Sequence, residues 1–135
     1  EIVEKDAVEQ KIEPGSETIL VVEDEEAVLT VSNKLLSGLG YHVMTARTGQ
    51  EALEIYKKTN RAIDLVILDM IMPGMSGGET FDCLKALNPD IKVILCSGYS
   101  MNGQASQILE RGCVSFLQKP FSIYELSVKI RKALK

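Results

Sequence analysis

The feature that most constrains this chain is the stretch from Leu65 to Gly74, in which four apolar residues lead directly into Asp69 and a turn follows. Apolar residues at every position, rather than at every second one, predict a strand that is buried on both faces, as in a parallel sheet. The Pro73-Gly74 pair ends this strand. We therefore expect Asp69 at the carboxyl end of a central strand, the edge at which open α/β sheets bind ligands. Taken alone, an aspartate that merely begins a turn explains the position equally well.

Similar apolar runs alternate with amphipathic segments along the rest of the chain. In the first predicted helix, Val28, Val31, Leu35 and Leu39 recur at helical spacing and predict one apolar face. Five strands alternating with five helices predict an α/β, flavodoxin-like, doubly wound (βα)5 fold, with a parallel five-stranded sheet in the order 2-1-3-4-5. The strands are predicted at 18–22, 42–46, 63–68, 91–96 and 114–118, and the helices at 26–39, 49–59, 77–87, 104–111 and from a capping box at 122–125 onward.

Residues 1–17 are largely charged and end in Pro-Gly-Ser, so we expect a linker or tail there and one folded domain from 18 to 135. A short helix within 2–12 is compatible with the loose apolar spacing of that segment. The net charge of −4 gives no reason to expect nucleic acid or an anionic membrane as a direct partner. No apolar run approaches the roughly 18 residues of a membrane span. The three cysteines lack metal-ligand spacing and indicate free thiols in a reducing compartment.

Charged and polar residues follow four of the five predicted strands, whereas the second, an edge strand, contributes none. If the first and third strands are neighbours, Glu23, Asp24 and Asp69 converge at one edge of the sheet. Two like charges about 4 Å apart repel by roughly 1–4 kcal/mol, so such a cluster needs a compensating cation. Ligand sets made only of oxygen suit Mg²⁺ or Mn²⁺ rather than zinc. Lys119, after the fifth strand, supplies a further positive charge, and Ser97 follows the fourth.

This set of residues suits phosphoryl transfer. Asp69 would act as the nucleophile and form an acyl phosphate, while Ser97 would donate a hydrogen bond to a phosphoryl oxygen. Each residue also has a plain structural explanation, because Lys119 can form an ordinary salt bridge and Ser97 can serve as a turn residue. Their joint appearance at matching strand ends favours the site.

Four segments together resemble the receiver domain of two-component response regulators: VVEDE at 21–25, LDMIMPG at 68–74, SGY at 97–99 and KPF at 119–121. The resemblance covers about residues 18–135. It implies that a phosphohistidine on a histidine kinase or a histidine phosphotransfer domain phosphorylates Asp69. It also implies that Lys119 binds the phosphoryl group, that the Lys119-Pro120 peptide is cis, and that Mg²⁺ (or Mn²⁺) is held by Glu23, Asp24, Asp69 and the backbone carbonyl of Ile71.

The same resemblance implies a conformational switch. Ser97 moves toward the phosphoryl group, Phe116 rotates inward behind it, and the face formed by helix four, strand five and helix five changes its partners. Without the resemblance, Phe116 would be interpreted simply as a core residue. The chain departs from the family pattern at Glu23, where Asp is commonest, so the longer side chain must fold back or bind the metal through water.

The Pro-Gly-Ser-Glu-Thr entry and the Cys-Ser-Gly-Tyr-Ser segment look most like the C-terminal receiver of a hybrid sensor histidine kinase. We therefore expect a cytoplasmic phosphoacceptor module, a location that includes the cytoplasmic part of a membrane-bound kinase. It would catalyse only its own phosphorylation and dephosphorylation, as a monomer or weak dimer. A stand-alone response regulator is the alternative. A phosphatase with an Asp nucleophile is the other, but it requires a second acid where this chain has Ile71.

Overall fold

The computed structural model describes residues 12–59, 62–98 and 103–135. The helix considered within residues 2–12 falls almost entirely outside these ranges. Five strands and five helices alternate along the described residues: β1 (Thr18–Val22), α1 (Glu26–Gly38), β2 (His42–Ala46), α2 (Gly49–Thr59), β3 (Leu65–Asp69), α3 (Gly77–Leu87), β4 (Val93–Ser97), α4 (Gly103–Glu110), β5 (Ser115–Gln118) and α5 (Ile123–Leu134).

The five strands form one parallel sheet in the order β2-β1-β3-β4-β5, as predicted. β3 and β4 are buried along their whole length, because helices cover both faces of the sheet. One face packs against α2, α3 and α4 and the other against α1 and α5, with a separate cluster of buried apolar side chains on each side. β1 and β3 are therefore neighbours, and the strand order reverses between them.

Local sequence signals explain where the helices begin and end. Ser122 and Glu125 form the predicted capping box at α5, and Ser76 with Glu79 forms a second one at α3. α1 ends at Gly38, and Gly40 follows with a φ of +102°, a left-handed conformation that favours glycine. No helix among the described residues combines the length and apolar character required to cross a bilayer.

The prediction for the apolar face of α1 is wrong in one respect. The residues of this helix that the sheet buries are Leu29, Ser32 and Leu36. Val31 and Leu35, on the face predicted from spacing, remain 55% and 40% exposed. The helix carries apolar residues on two adjacent stripes, and only the stripe that includes Leu36 contacts the sheet.

Two cysteines adjoin the sheet as buried free thiols. The Cys113 thiol donates a hydrogen bond to the Val93 carbonyl at 3.1 Å. Cys96 lies beside Asp69 in the register of β3 and β4, and burial raises the pKa of its thiol to about 12. Cys96 thus remains a protonated, apolar neighbour of the acidic residues rather than an additional anion.

The two stripes of α1 give a test of the fold. We expect Leu36→Ala to lower the free energy of unfolding by about 2–5 kcal/mol, because it opens a cavity against the sheet. Leu35→Ala, one residue away on the exposed stripe, should change it by less than about 1 kcal/mol. Urea unfolding followed by circular dichroism measures both. Equal losses would show that both stripes are packed.

Candidate functional site

Three carboxylates meet at the carboxyl edge of the sheet. One carboxylate oxygen from each of Glu23, Asp24 and Asp69 lies within 4.8 Å of the others. Glu23 and Asp69 are buried, with 3% and 7% of their surfaces exposed, whereas Asp24 is partly exposed. The neighbouring positions of β1 and β3 produce this arrangement, because both strands end at the same level of the sheet. The sequence-predicted convergence of these three residues is present in the structure.

Lys119 brings a positive charge into the same cluster from the end of β5. Its Nζ lies 2.5 Å from Glu23 Oε1 and 3.4 Å from Asp69 Oδ1, and only 19% of its side chain is exposed. Its backbone N–H donates to the Ser97 carbonyl at 2.7 Å, which holds the lysine beside the end of β4. The Lys119-Pro120 peptide bond is cis.

Glu23, the position at which the chain departs from the commoner Asp, folds back on its own turn. Its Oε2 accepts a hydrogen bond from the Glu25 backbone N–H at 3.2 Å, while Oε1 contacts Lys119. The longer side chain is therefore held by its own turn through one oxygen and by Lys119 through the other. The structure shows the folded-back side chain, and binding of the metal by Glu23, directly or through water, stays a prediction.

The electrostatics of the cluster oppose full ionisation. Burial, followed by the charge of Glu23, raises the pKa of Asp69 to about 6, although the nearby Lys119 ammonium acts in the other direction. For Lys119, burial works against the charged form, but the hydrogen bond to Glu23 and the charges of Asp69 and Glu23 outweigh it and raise its pKa. One ammonium therefore stands against three acids, which leaves a site suited to an additional cation.

An open depression of about 470 Å³ lies over these groups. Asp24, Asp69, Ile71 and Lys119 line it together with Glu25 and Gly98. Ile71 is 54% exposed at its rim. The depression is large enough for a small anion next to Asp69. The carboxylate oxygens that line it are the ligands that hard divalent cations prefer.

The turn after Asp69 is held by close backbone packing. The Met70 N–H donates to the Cys96 carbonyl at 2.8 Å, and the Gly77 N–H donates to the Met70 carbonyl at 3.0 Å. A Cβ at Gly77 would lie 2.6 Å from Met70 Cα and 2.7 Å from the Asp69 carbonyl oxygen. Only glycine allows α3 to start this close to β3, so Gly77 positions the turn that carries Ile71.

The two predicted switch residues occupy different surroundings. Ser97, at the end of β4, is buried with 1% of its surface exposed. Phe116, in β5 opposite Leu95, is only half-buried and packs against the apolar cluster beneath α4. The Tyr99 position of the motif lies outside the described residues.

One residue that the strand-end pattern missed is Arg47, directly after β2. Its guanidinium donates to the Asp24 backbone carbonyl at 3.3 Å, and the Glu23 N–H donates to the Ala46 carbonyl at 3.0 Å. The expectation that the second strand contributes nothing at this edge is therefore wrong. An arginine one residue beyond a strand that pairs with β1 was the available signal.

Comparison with known proteins agrees with this geometry. Residues 19–131 match the family model of the response regulator receiver domain. The sensor kinase CckA of Brucella abortus is 38% identical to this chain; the match covers 95% of this chain and 14% of CckA. The sporulation initiation phosphotransferase F of Bacillus subtilis is 33% identical; that match covers 88% of this chain and 94% of the phosphotransferase. A response regulator receiver domain from Clostridium thermocellum superposes with a TM-score of 0.84 at 33% identity, covering 87% of this chain and 94% of that one.

The chain belongs to the response regulator receiver family and is a receiver domain of two-component signalling. Receiver domains act as phosphoacceptors, bind Mg²⁺ at an acidic pocket, and interact with histidine kinases or phosphotransfer proteins. The chain covers only small parts of several relatives, such as 14% of CckA and 26% of the transcriptional regulatory protein ZraR of Escherichia coli.

The crowding of acidic side chains predicts that, in the absence of divalent cations, ionisation of Asp69 lowers the stability of the protein. The folded-state pKa of Asp69 lies above that of an unfolded carboxyl, so ionisation between about pH 4 and pH 7 lowers the free energy of unfolding. Asp69→Asn removes this loss and should stabilise the protein at pH 7.5 in EDTA by on the order of 1–3 kcal/mol.

The matched control is Asp90→Asn, which removes an equal charge from an exposed loop and should change stability by less than about 0.5 kcal/mol. Thermal unfolding at pH 4.0 and pH 7.5 measures the difference. If Asp69→Asn were destabilising at pH 7.5, the carboxylate would be stabilised by its surroundings, contrary to this electrostatic account.

Proposed function

We propose that Asp69 is the phosphoacceptor and that it receives a phosphoryl group from a phosphohistidine. The observation that carries this proposal is the buried carboxylate at the base of an open acidic depression, 3.4 Å from the Lys119 ammonium. A carboxylate oxygen of Asp69 attacks phosphorus, the phosphorus–nitrogen bond breaks, and its electron pair returns to the imidazole, which takes up a proton. Lys119 stabilises the negative charge on the transferred group.

The acidic residues fit a bound Mg²⁺ or Mn²⁺. Glu23, Asp24 and Asp69 offer oxygen ligands within 4.8 Å of one another, and we assign the backbone carbonyl of Ile71 as a fourth ligand. When bound, the ion would neutralise charge on the phosphoryl oxygens. Arg47 fixes the peptide of Asp24 and so limits the movement of that ligand.

We infer that Ser97 and Phe116 form the switch. Ser97 lies at the end of the strand next to β3, where its hydroxyl can reach a phosphoryl group on Asp69. Phe116 is half-buried, so an inward rotamer would bury additional apolar surface. The face formed by α4, β5 and α5 would then present a different surface to its partners.

The exposed stripe of α1 supplies a docking surface for the phosphodonor. Val28, Val31 and Leu35 line an apolar depression that continues onto Pro120 and Phe121. Lys119 lines both this depression and the acidic one, so a partner seated on α1 has its reactive group beside Asp69. An apolar helical surface that carries the histidine, as in a kinase or phosphotransfer domain, is the partner that fits.

The parent protein proposed is a hybrid sensor histidine kinase, and a stand-alone regulator is the alternative. The identity to CckA over 95% of this chain supports the hybrid, whereas the single-domain phosphotransferase F supports the alternative. We place the chain in the cytoplasm as a monomer or weak dimer that contacts neither nucleic acid nor membrane directly, and whose catalysis is confined to its own phosphorylation and dephosphorylation.

The phosphoacceptor assignment predicts a specific covalent product. Incubation with acetyl phosphate and Mg²⁺ should add one phosphate to the chain, as measured by intact-protein mass spectrometry. Asp69→Asn should abolish the adduct, and EDTA should prevent it, because both the nucleophile and the cation are required. Asp90→Asn serves as the matched control and should be labelled normally; labelling of Asp69→Asn to the same extent would refute the assignment.

The docking surface predicts that a substitution on α1 slows phosphotransfer from a protein donor but not from a small-molecule donor. Leu35→Ser should slow phosphotransfer from a phosphorylated histidine kinase by about tenfold, equivalent to ~1.4 kcal/mol of binding free energy. Labelling by acetyl phosphate should remain within twofold, because a small donor needs no docking surface. Leu87→Ser, which alters an exposed leucine at the end of α3, is the control. Equal slowing with both donors would place the effect in the site instead of the docking surface.

A further inference from the structure

The segment just before β1 is bound to the folded domain, although the sequence predicted a linker up to residue 17. The Gly15 N–H donates to the Leu39 carbonyl at 3.0 Å, and the Glu17 carbonyl accepts from the His42 N–H at 3.0 Å. These bonds fix the segment against the turn between α1 and β2. We refer to residues 14–17 as the N-terminal strap.

Two glycines make this close approach possible. A Cβ at Gly15 would lie 2.3 Å and 2.6 Å from ring carbons of Tyr41, which is itself buried and cannot move aside. A Cβ at Gly40 would lie 2.4 Å from the Gly15 carbonyl oxygen. The strap and the turn thus fit each other only because both positions lack side chains.

An ion pair ties the strap to the last helix. Arg131, in the final turn of α5, donates through Nη1 to Glu17 Oε1 at 2.9 Å and to the Tyr41 hydroxyl at 3.4 Å. Both partners of the ion pair are largely covered, with 20% and 29% of their side chains exposed. Burial acts to raise the pKa of Glu17, but hydrogen bonds from backbone amides and from Arg131 outweigh it and lower that pKa. The contact therefore combines shape and charge complementarity.

The strap lies at the amino edge of the sheet, whereas Asp69 lies at the carboxyl edge. β1 has five residues and separates the two edges by about 16 Å. We propose that the strap is an anchoring device that fixes where any segment N-terminal to it joins the domain, against the end of α5 and away from Asp69. By this inference the structural unit includes Gly15, before the boundary at residue 18 that composition predicted.

Amide hydrogen exchange on the full chain tests the anchor. In Gly15→Ala the amides of residue 15 and His42 should exchange at least about tenfold faster, because their hydrogen bonds depend on the strap being seated. Gly38→Ala is the matched control, since a Cβ there has no atom within 4 Å, and it should leave both amides unchanged. Unaltered exchange in Gly15→Ala would overturn the proposal.

A second variant distinguishes release of the strap from general destabilisation of the domain. Glu17→Gln keeps the shape of the strap and removes only the charge that Arg131 contacts, so the same two amides should exchange faster while those of β3 and β4 remain protected. Unchanged exchange at residue 15 and His42 in this variant would show that the ion pair does not hold the strap. Labelling of Asp69 by acetyl phosphate should persist in both strap variants, so a failure of the anchor is distinguishable from a failure of the phosphoacceptor assignment.

Discussion

The carboxyl edge of the sheet is organised by the Lys119 ammonium, which lies between the mutually repelling buried carboxylates of Glu23 and Asp69. Lys119 reaches both acids from the far edge of the sheet, so the ends of β1, β3 and β5 are held together by one charge. With Asp24 included, two negative charges remain uncompensated. A divalent cation would match that residual charge, and in the proposed reaction this cation and Lys119 would both offset the charge of the transferred group. The acidic site is therefore locally costly on its own, and the proposed ligands would offset that cost.

The carboxyl edge of this sheet was largely predictable from the chain. Continuous apolar runs identify strands buried on both faces, and the chirality of parallel crossovers leaves few strand orders; in the predicted order, the acids that follow β1 and β3 meet. Spacing failed for α1, where Leu36 and Leu35 are equally apolar neighbours and only Leu36 is fully buried. With apolar residues on two adjacent stripes, the spacing alone does not indicate which stripe faces the sheet. The stripe left exposed is the one we assign to a partner, in keeping with the tendency of sequence rules to fail at functional surfaces.

The strap could not be predicted for a different reason. Composition correctly marks residues 1–17 as polar and rich in turn formers, but a composition argument treats every glycine as a source of flexibility. Gly15 instead provides close contact, and its partners Gly40, Tyr41 and Arg131 are 25 to 116 residues away in sequence. Only the tertiary structure reveals that this glycine and Glu17 belong to the folded unit. A domain boundary drawn from local composition therefore takes no account of contacts between residues that are distant in sequence.

Two helices join the edges of the sheet: α1 begins just after Asp24 and ends at the turn that binds Gly15, and α5 makes a second connection. α5 begins just after the Lys119-Pro120 peptide and ends in the turn that carries Arg131, so it runs from the acidic cluster to the strap. Along the sheet, burial falls from the fully buried β3 and β4 to β5, where Phe116 is half-covered, and the adjoining α4 has only eight residues. Phe116, the proposed switch residue, is therefore less covered than Asp69, which lies at the end of the fully buried β3. In the proposed switch, a change of charge at Asp69 would act against a buried strand on one side and the less covered β5 on the other, which favours rearrangement at the α4–β5–α5 face.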